Sequence, residues 1–209
     1  MRKKKFFFIV FEGIEGTGKS YQIKKLSNNL KKCGIKVKTT REPGGSKTAE
    51  KIRELIFKKN SNSFDKVTDY YLMNAARNEH VKKTLLLAKK KKQIIISDRF
   101  TDSTYAYQVI GNKIDNKINL INQKYILKNL KPNLTIVLKS SLKVIFSRIK
   151  QRKKSNKFDK LKKDFYTKAQ NAFLLLAKKN NNYLVFDSSK NTADLEKTIL
   201  SIVLKKLSN

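Results

Sequence analysis

Cysteine, histidine, acidic residues and long apolar runs are all scarce in this chain of 209 residues. The one cysteine, Cys33, excludes an internal disulfide, and nothing near it suggests a metal or a redox partner. The one histidine, His80, falls inside a helical pattern. No apolar run approaches the ~20 residues that cross a bilayer as a helix. The basic start, Met1 to Lys5, followed by apolar residues, superficially resembles a secretory signal. It runs into a glycine-rich loop in place of a small-residue cleavage site, so a soluble, cytoplasmic protein is expected. Acids number 16 against 49 lysines and arginines, a net charge of +33. Such a balance ordinarily argues for nucleic acid. Here the lysines are spread along the whole chain beside asparagine and isoleucine, as in proteins of AT-rich genomes. The expectation is therefore a solvated basic surface with no specific nucleic-acid partner, and non-specific binding only at low salt.

Glycine is also sparse, seven in all, yet three fall at 13, 16 and 18. They belong to Gly13-Ile14-Glu15-Gly16-Thr17-Gly18-Lys19-Ser20, the pattern G-x-x-x-x-G-K-S, directly after the apolar run Phe6–Val10. A strand feeding such a loop, with a helix after it, is a phosphate cradle. Glycines let successive backbone N–H groups converge on an anion. Lys19 supplies a point charge for the β/γ-phosphates, and the Ser20 hydroxyl suits Mg²⁺. The helix starting near Gly18 turns its positive end to the same anion. A dinucleotide fingerprint would need a glycine where Tyr21 stands. A bound nucleoside triphosphate is expected.

Strand-type runs at Phe6–Phe11, Ile35–Thr40, Gln93–Ser97, Leu134–Leu138 and Tyr183–Phe186 alternate with helical patterns. The helical patterns cover about 18–33, 48–59, 67–91, 103–111, 117–130, 142–151, 160–180 and 192–207. This alternation predicts an α/β P-loop fold in three layers, a five-stranded parallel sheet with helices on both faces. Residues 1–209 are expected to form a single domain, with the polar stretch at about 150–162 as a mobile flap. In such sheets ligands sit at the carboxyl ends of the strands. After the second strand comes Arg41-Glu42-Pro43-Gly44-Gly45; after the third comes Asp98-Arg99-Phe100. Asp98 stands where a P-loop protein orients its metal, and Arg41 and Arg99 would enter one cleft from neighbouring strands. Three phosphate-directed elements suggest a donor and an acceptor, hence a phosphotransferase.

At this point the sequence closely resembles the bacterial thymidylate kinases. The landmarks run in order through nearly the whole chain: F-E-G-x-E-G-x-G-K-S at 11–20, T-R-E-P-G-G at 40–45, A-A-R at 75–77, D-R-F-x-D-S-T-x-A-Y-Q at 98–108 and P-N-L-T at 132–135. The resemblance implies transfer of the γ-phosphoryl of ATP to dTMP, with Mg²⁺, in a homodimer. It implies that residues 13–20 and Arg148 bind ATP, and that Ser20 and Asp98 serve the metal. Arg41 would clamp the dTMP phosphate, and Arg99 would bridge donor and acceptor. Arg77, Thr104 and Gln108 would meet the base, Tyr107 the sugar, and Glu15 the 3′-hydroxyl. Lys19, Arg99 and the flap residues Arg152 and Lys160 would carry the catalytic charge. The chain departs from the family at Met73, where a stacking phenylalanine is usual, at Val109, usually glycine, and at Lys160, usually arginine. His80 receives no catalytic role, because an acceptor that is already a phosphate anion needs no base. Two alternatives compete: a deoxynucleoside or deoxynucleotide kinase of broader specificity, and a basic nucleic-acid-dependent P-loop ATPase. The acceptor apparatus at 41–45, 77 and 98–108 separates the kinase from the ATPase.

Overall fold

A computed structural model describes residues 5–58, 64–152, 161–189 and 192–208. Five parallel strands form one sheet: β1 (Phe7–Glu12), β2 (Val37–Arg41), β3 (Ile94–Asp98), β4 (Leu134–Lys139) and β5 (Tyr183–Asp187), ordered β2-β3-β1-β4-β5. The nine α-helices among the described residues are α1 (Lys19–Lys32), α2 (Lys47–Phe57), α3 (Lys66–His80), α4 (Leu86–Lys90), α5 (Thr101–Thr104), α6 (Asn116–Leu127), α7 (Leu142–Lys150), α8 (Lys163–Lys178) and α9 (Thr192–Ser208). None of them is long and apolar enough to cross a membrane.

The central strand explains the layers. Every residue of β1 is buried, as a strand covered on both faces requires. Side chains alternate along a strand. Phe7, Ile9 and Phe11 therefore pack with α1 and α9, through Ile23, Leu26, Leu30, Ile199 and Val203. Phe8 and Val10 pack on the other face with Val81, Leu85, Ile95 and Phe100. Each such buried side chain contributes roughly 1.5–3 kcal/mol. The next residue in the second series is Glu12, a buried carboxylate facing Phe100.

All five strands fall within two residues of their sequence-predicted bounds, and the expected three-layer fold is the observed one. Three helical patterns differ from expectation. The continuous pattern 67–91 holds a π-helical turn at Val81–Leu85 between α3 and α4. The pattern 103–111 starts earlier, as α5, then widens into a π-helix over Tyr105–Gly111. Val109 lies buried inside that wide turn, so a branched residue fits the path where glycine is usual. The pattern 117–130 ends at Leu127, because Lys128 and Asn129 both adopt positive φ. Of the flap expected at 150–162, residues 153–160 lie outside the described residues.

Helix ends follow charge. Asp65 and Asp115 cap α3 and α6 with 2.7 Å bonds from Val67 and Lys117 N–H, and Ser46 and Ser141 cap α2 and α7. Lysines close the far ends: Lys31 and Lys32, Lys89 and Lys90, Lys178, Lys205 and Lys206.

Candidate active site

Helix α1 differs from the capped helices, since its N-cap is Gly18, at φ 85°, with no side chain to satisfy the first N–H groups. Those donors and the helix dipole are what a phosphate needs. Ile14 and Thr17 are fully buried, and the Thr17 hydroxyl closes the loop on Ile14 O at 2.8 Å. They offer backbone, not side chain, to a ligand. Lys19 Nζ donates to Gly13 O and Ile14 O at 2.8 and 2.9 Å. Burial and the nearby Arg99 push the Lys19 ammonium down to about 8, against the pull of Asp98, Glu15 and Glu12. Ser20 Oγ donates to Asp98 Oδ2 at 2.9 Å, bringing together the two side chains expected to serve a metal.

The strand-end turn after β3 is built around Arg99, at φ 75°. Its Nη2 meets Glu15 Oε1 at 2.6 Å; its Nη1 reaches Gly13 O at 3.1 Å and Ser103 Oγ at 3.0 Å. The Tyr107 hydroxyl donates to the other Glu15 oxygen, and its ring centre lies 5.1 Å from the guanidinium. Burial, reinforced by Glu15, pushes the phenol up, so it keeps the proton it donates. Glu12 ties the turn from below. Its Oε1 accepts from Phe100 N at 2.8 Å and Ser103 N at 3.3 Å, and its Oε2 from Ser103 Oγ at 2.7 Å. Burial and the neighbouring Asp102 push the Glu12 carboxyl up to about 8.

Arg77 of α3 is almost fully buried. Nε donates to Glu42 Oε2 at 2.7 Å and Nη2 to Phe100 O at 3.0 Å, while Nη1 has no partner among the described residues. Glu42 precedes Pro43 across a cis peptide bond, and its N–H donates to Asp98 O at 2.9 Å. His80 is fully buried, with Nδ1 2.9 Å from Glu42 Oε1 and Nε2 2.7 Å from Thr40 Oγ1. The expectation that His80 has no catalytic part fits this position.

One cavity gathers most of the sequence-predicted residues. Its lining includes Glu15, Lys19, Ser20, Arg41, Met73, Arg77, Asp98, Arg99, Thr104, Tyr107, Gln108 and Arg152. Arg41 pairs through two hydrogen bonds with Glu50, at 3.2 and 2.8 Å. Arg148 stands apart from that lining and braces the loop, donating to Gly16 O at 3.2 Å and Ser188 O at 2.8 Å. Lys160 lies outside the described residues. Sequence reasoning assigned no role to three charged or polar residues of this cavity: Glu42, Ser103 and Arg53. Arg53 donates to Pro43 O at 2.6 Å, and its guanidinium lies 4.7 Å from the centre of the Phe57 ring. Its position three residues after Glu50, on the same face of a helix leaving the 41–45 loop, was the available signal.

The thymidylate kinase family profile matches residues 11–199. The thymidylate kinase of Mycoplasma capricolum subsp. capricolum is 36% identical over 203 residues, covering 96% of this chain and 95% of the relative. That of Caulobacter vibrioides is 33% identical over 202 residues, covering 96% and 97%. The crystal structure of thymidylate kinase from Ehrlichia chaffeensis superposes with a TM-score of 0.76 at 29% identity, covering 97% of this chain and 99% of that one. Profile, relatives and solved structure each span nearly the whole chain, and the chain belongs to the thymidylate kinase family.

Proposed function

We propose that the protein transfers the γ-phosphoryl group of ATP to dTMP, giving ADP and dTDP. The observation that carries this reading is one cavity whose lining combines two sets of groups. Lys19, Ser20, Asp98, Arg41, Arg53 and Arg99 are suited to phosphates; the buried Met73, Arg77, Phe100, Thr104 and Gln108 are suited to a base. A phosphate oxygen of dTMP attacks the γ-phosphorus in line, and the bond to the β,γ-bridging oxygen breaks as ADP leaves. The acceptor is already an anion, so catalysis rests on alignment and charge stabilisation. Arg99 bridges the two phosphates, and Lys19 and Arg152 add charge at the transferring group. Arg41 and Arg53 hold the acceptor phosphate, and Arg77 Nη1 donates to the base. Tyr107 packs beside the sugar, and Glu15 takes the 3′-hydroxyl.

Ser20 and Asp98 would hold Mg²⁺. Their hard oxygens fit that ion, and the absence of any cluster of three or more His, Cys, Asp or Glu among the described residues fits an ion bound mainly by phosphate and water. When bound, Mg²⁺ neutralises charge on the bridged phosphates. A cytoplasmic homodimer completes the reading. On α6, Ile118, Ile121 and Tyr125 share one exposed face beside Val67 and Tyr71 of α3; Tyr125 is 83% exposed, whereas Tyr70 is buried. The cross-helix bond from Asn122 to the Tyr70 hydroxyl, 2.9 Å, ties α6 to α3.

A coupled assay of ADP release across the common nucleoside monophosphates tests the assignment. Turnover of dTMP, weaker turnover of dUMP and none of AMP, GMP or CMP is expected, since a methyl in an apolar pocket is worth only ~1–3 kcal/mol. Equal turnover of dCMP and dTMP would overturn it.

A further inference from the structure

A guanidinium can only donate hydrogen bonds. Buried with one nitrogen unused, Arg77 is a donor whose direction depends wholly on what grips the rest of it. Two acceptors do so: the Phe100 carbonyl at Nη2 and Glu42 at Nε. Only the second carries charge, and it is buried itself. Burial raises the Glu42 carboxyl, but the Arg77 charge and the His80 hydrogen bond outweigh it, and the group stays below its ordinary value as a carboxylate.

Glu42 is held from the other side. With His80 as the Nδ1–H tautomer, the imidazole donates to Glu42 Oε1 while Nε2 accepts from the Thr40 hydroxyl, so one assignment satisfies all three groups. The packing leaves His80 little room to move. A Cβ built on Gly45, itself at φ +85°, would lie 2.5 Å from His80 Cδ2 and 2.7 Å from Nε2. Thr84 Oγ1 anchors the Gly45 carbonyl at 2.6 Å. The line Thr40–His80–Glu42–Arg77 therefore runs from the edge of the sheet into the cavity, fully bonded until it reaches Arg77 Nη1.

We propose that Glu42 and His80 are positioning residues that aim Arg77 Nη1 at the acceptor base, and that this buried line sets the preference for a 4-carbonyl base over a 4-amino base. A fixed donor pairs with the O4 acceptor of thymine or uracil and meets only another donor in the amino group of cytosine. Loosening the guanidinium weakens the first interaction and relieves the second. The inference rests on the reading that Arg77 faces the base.

The test measures kcat and KM for dTMP and dCMP, and KM for ATP, in the wild type and in Glu42→Gln, His80→Leu, His80→Asn and Arg77→Met. Glu42→Gln is expected to raise the dTMP KM at least ~10-fold, with kcat and the ATP KM within ~3-fold. It should also lower the dTMP:dCMP preference in kcat/KM by ~10-fold or more, the scale of one charge-assisted hydrogen bond. His80→Leu should move both readouts the same way. His80→Asn, which keeps an N–H at the Nδ1 position, should restore both to within ~3-fold of wild type. A purely structural role would lower thermal stability in both His80 variants and leave the dTMP:dCMP ratio alone; that result overturns the proposal. If Glu42→Gln does not fold, the two His80 variants still decide it by the same ratio. Loss of preference in Arg77→Met with none in the Glu42 and His80 variants overturns the positioning role alone. An unchanged preference in Arg77→Met overturns the base-facing reading beneath it.

Discussion

The two rims of the sheet carry opposite chemistry. At the carboxyl rim, Glu12, Glu15, Glu42, Asp98 and Asp102 stand among Lys19, Arg77 and Arg99 in a network of buried hydrogen bonds and two short buried ion pairs. The segments that enter the strands at the other rim hold Lys5, Lys36, Lys91, Lys92, Lys128, Lys131 and Lys179 and not one acid. Among the described residues no ion pair involves those lysines. Topology accounts for the difference. In a parallel sheet with crossover helices the helix carboxyl ends lead into the entering rim, and lysine is favoured there. Acids are favoured at helix starts, beside the site. Net charge thus says little about function here: the basic rim is cheap to solvate, and the costly charges are the buried, paired ones.

The sharpest way to break this contrast is to remove one buried cation. Arg99→Ala is expected to lower kcat by ~10³-fold or more, because it deletes the group bridging both phosphates and strands Glu15. Single-turnover kinetics checks this, and a loss below tenfold would move Arg99 out of the reacting centre. Arg152→Ala, at the edge of the flap, should cost at least ~10²-fold in kcat with little change in the dTMP KM. Lys160→Ala should cost less, as a flexible ammonium lacks the planar fork, and Lys153→Ala and Lys154→Ala should be near neutral. A larger effect at either control would mean the flap is out of register.

Titration separates the rims in another way. Lys19, brought down to about 8, is protonated in the free enzyme below that value and neutral above it. Its charge opposes folding, so its contribution to stability rises with pH between about 8 and the ordinary lysine value of 10.5. Its contribution to ATP capture runs the opposite way. The kcat/KM for ATP should fall as pH rises through about 8, approaching roughly tenfold per unit, with proton uptake on ATP binding by calorimetry in two buffers. A flat profile to pH 9.5 would show that Lys19 keeps its charge.

The remaining predictions are small. Met73 lines the cavity, and Met73→Phe should lower the dTMP KM several-fold with kcat unchanged, since stacking is worth ~1–3 kcal/mol and acts equally on ground and transition states. An unchanged or raised KM would mean the slot has adapted to methionine. At the entering rim, Lys91→Glu with Lys131→Glu should leave kcat/KM within about twofold at physiological salt, where charges beyond ~8 Å are screened. A larger drop would show that the rim's field guides the anionic substrates.

Much of this was legible in the sequence, for reasons that differ by residue. The strands could be read because β1 is covered on both faces and its apolar run is continuous. The loop at 13–20 and the pair Asp98-Arg99 could be read because spacing alone sets their geometry. Glu42 and Ser103 could not, since each acts through a partner distant in sequence, Arg77 35 residues from Glu42 and Glu12 91 from Ser103. The signal for Arg53, its spacing from Glu50, was local. The π-helical turns at 81–85 and 105–111 were hidden because each shifts the helical apolar pattern by about one residue, too little to register in a short pattern. Arg148, expected to bind ATP, spends its donors on the Gly16 and Ser188 carbonyls, a bracing contact that no local pattern announces.

The contact between Gly45 and His80 has an evolutionary consequence. A side chain at 45 would meet Thr40 Oγ1 as well as the imidazole, so a change at 80 alone makes no room for it, and no other residue at 80 reproduces the Nδ1 and Nε2 contacts together. Position 45 is therefore closed to any side chain, while position 80 stays open to a residue that keeps a donor at the Nδ1 position. Across thymidylate kinases, glycine at 45 should persist even where 80 differs, and a donor at 80 should accompany glutamate at 42.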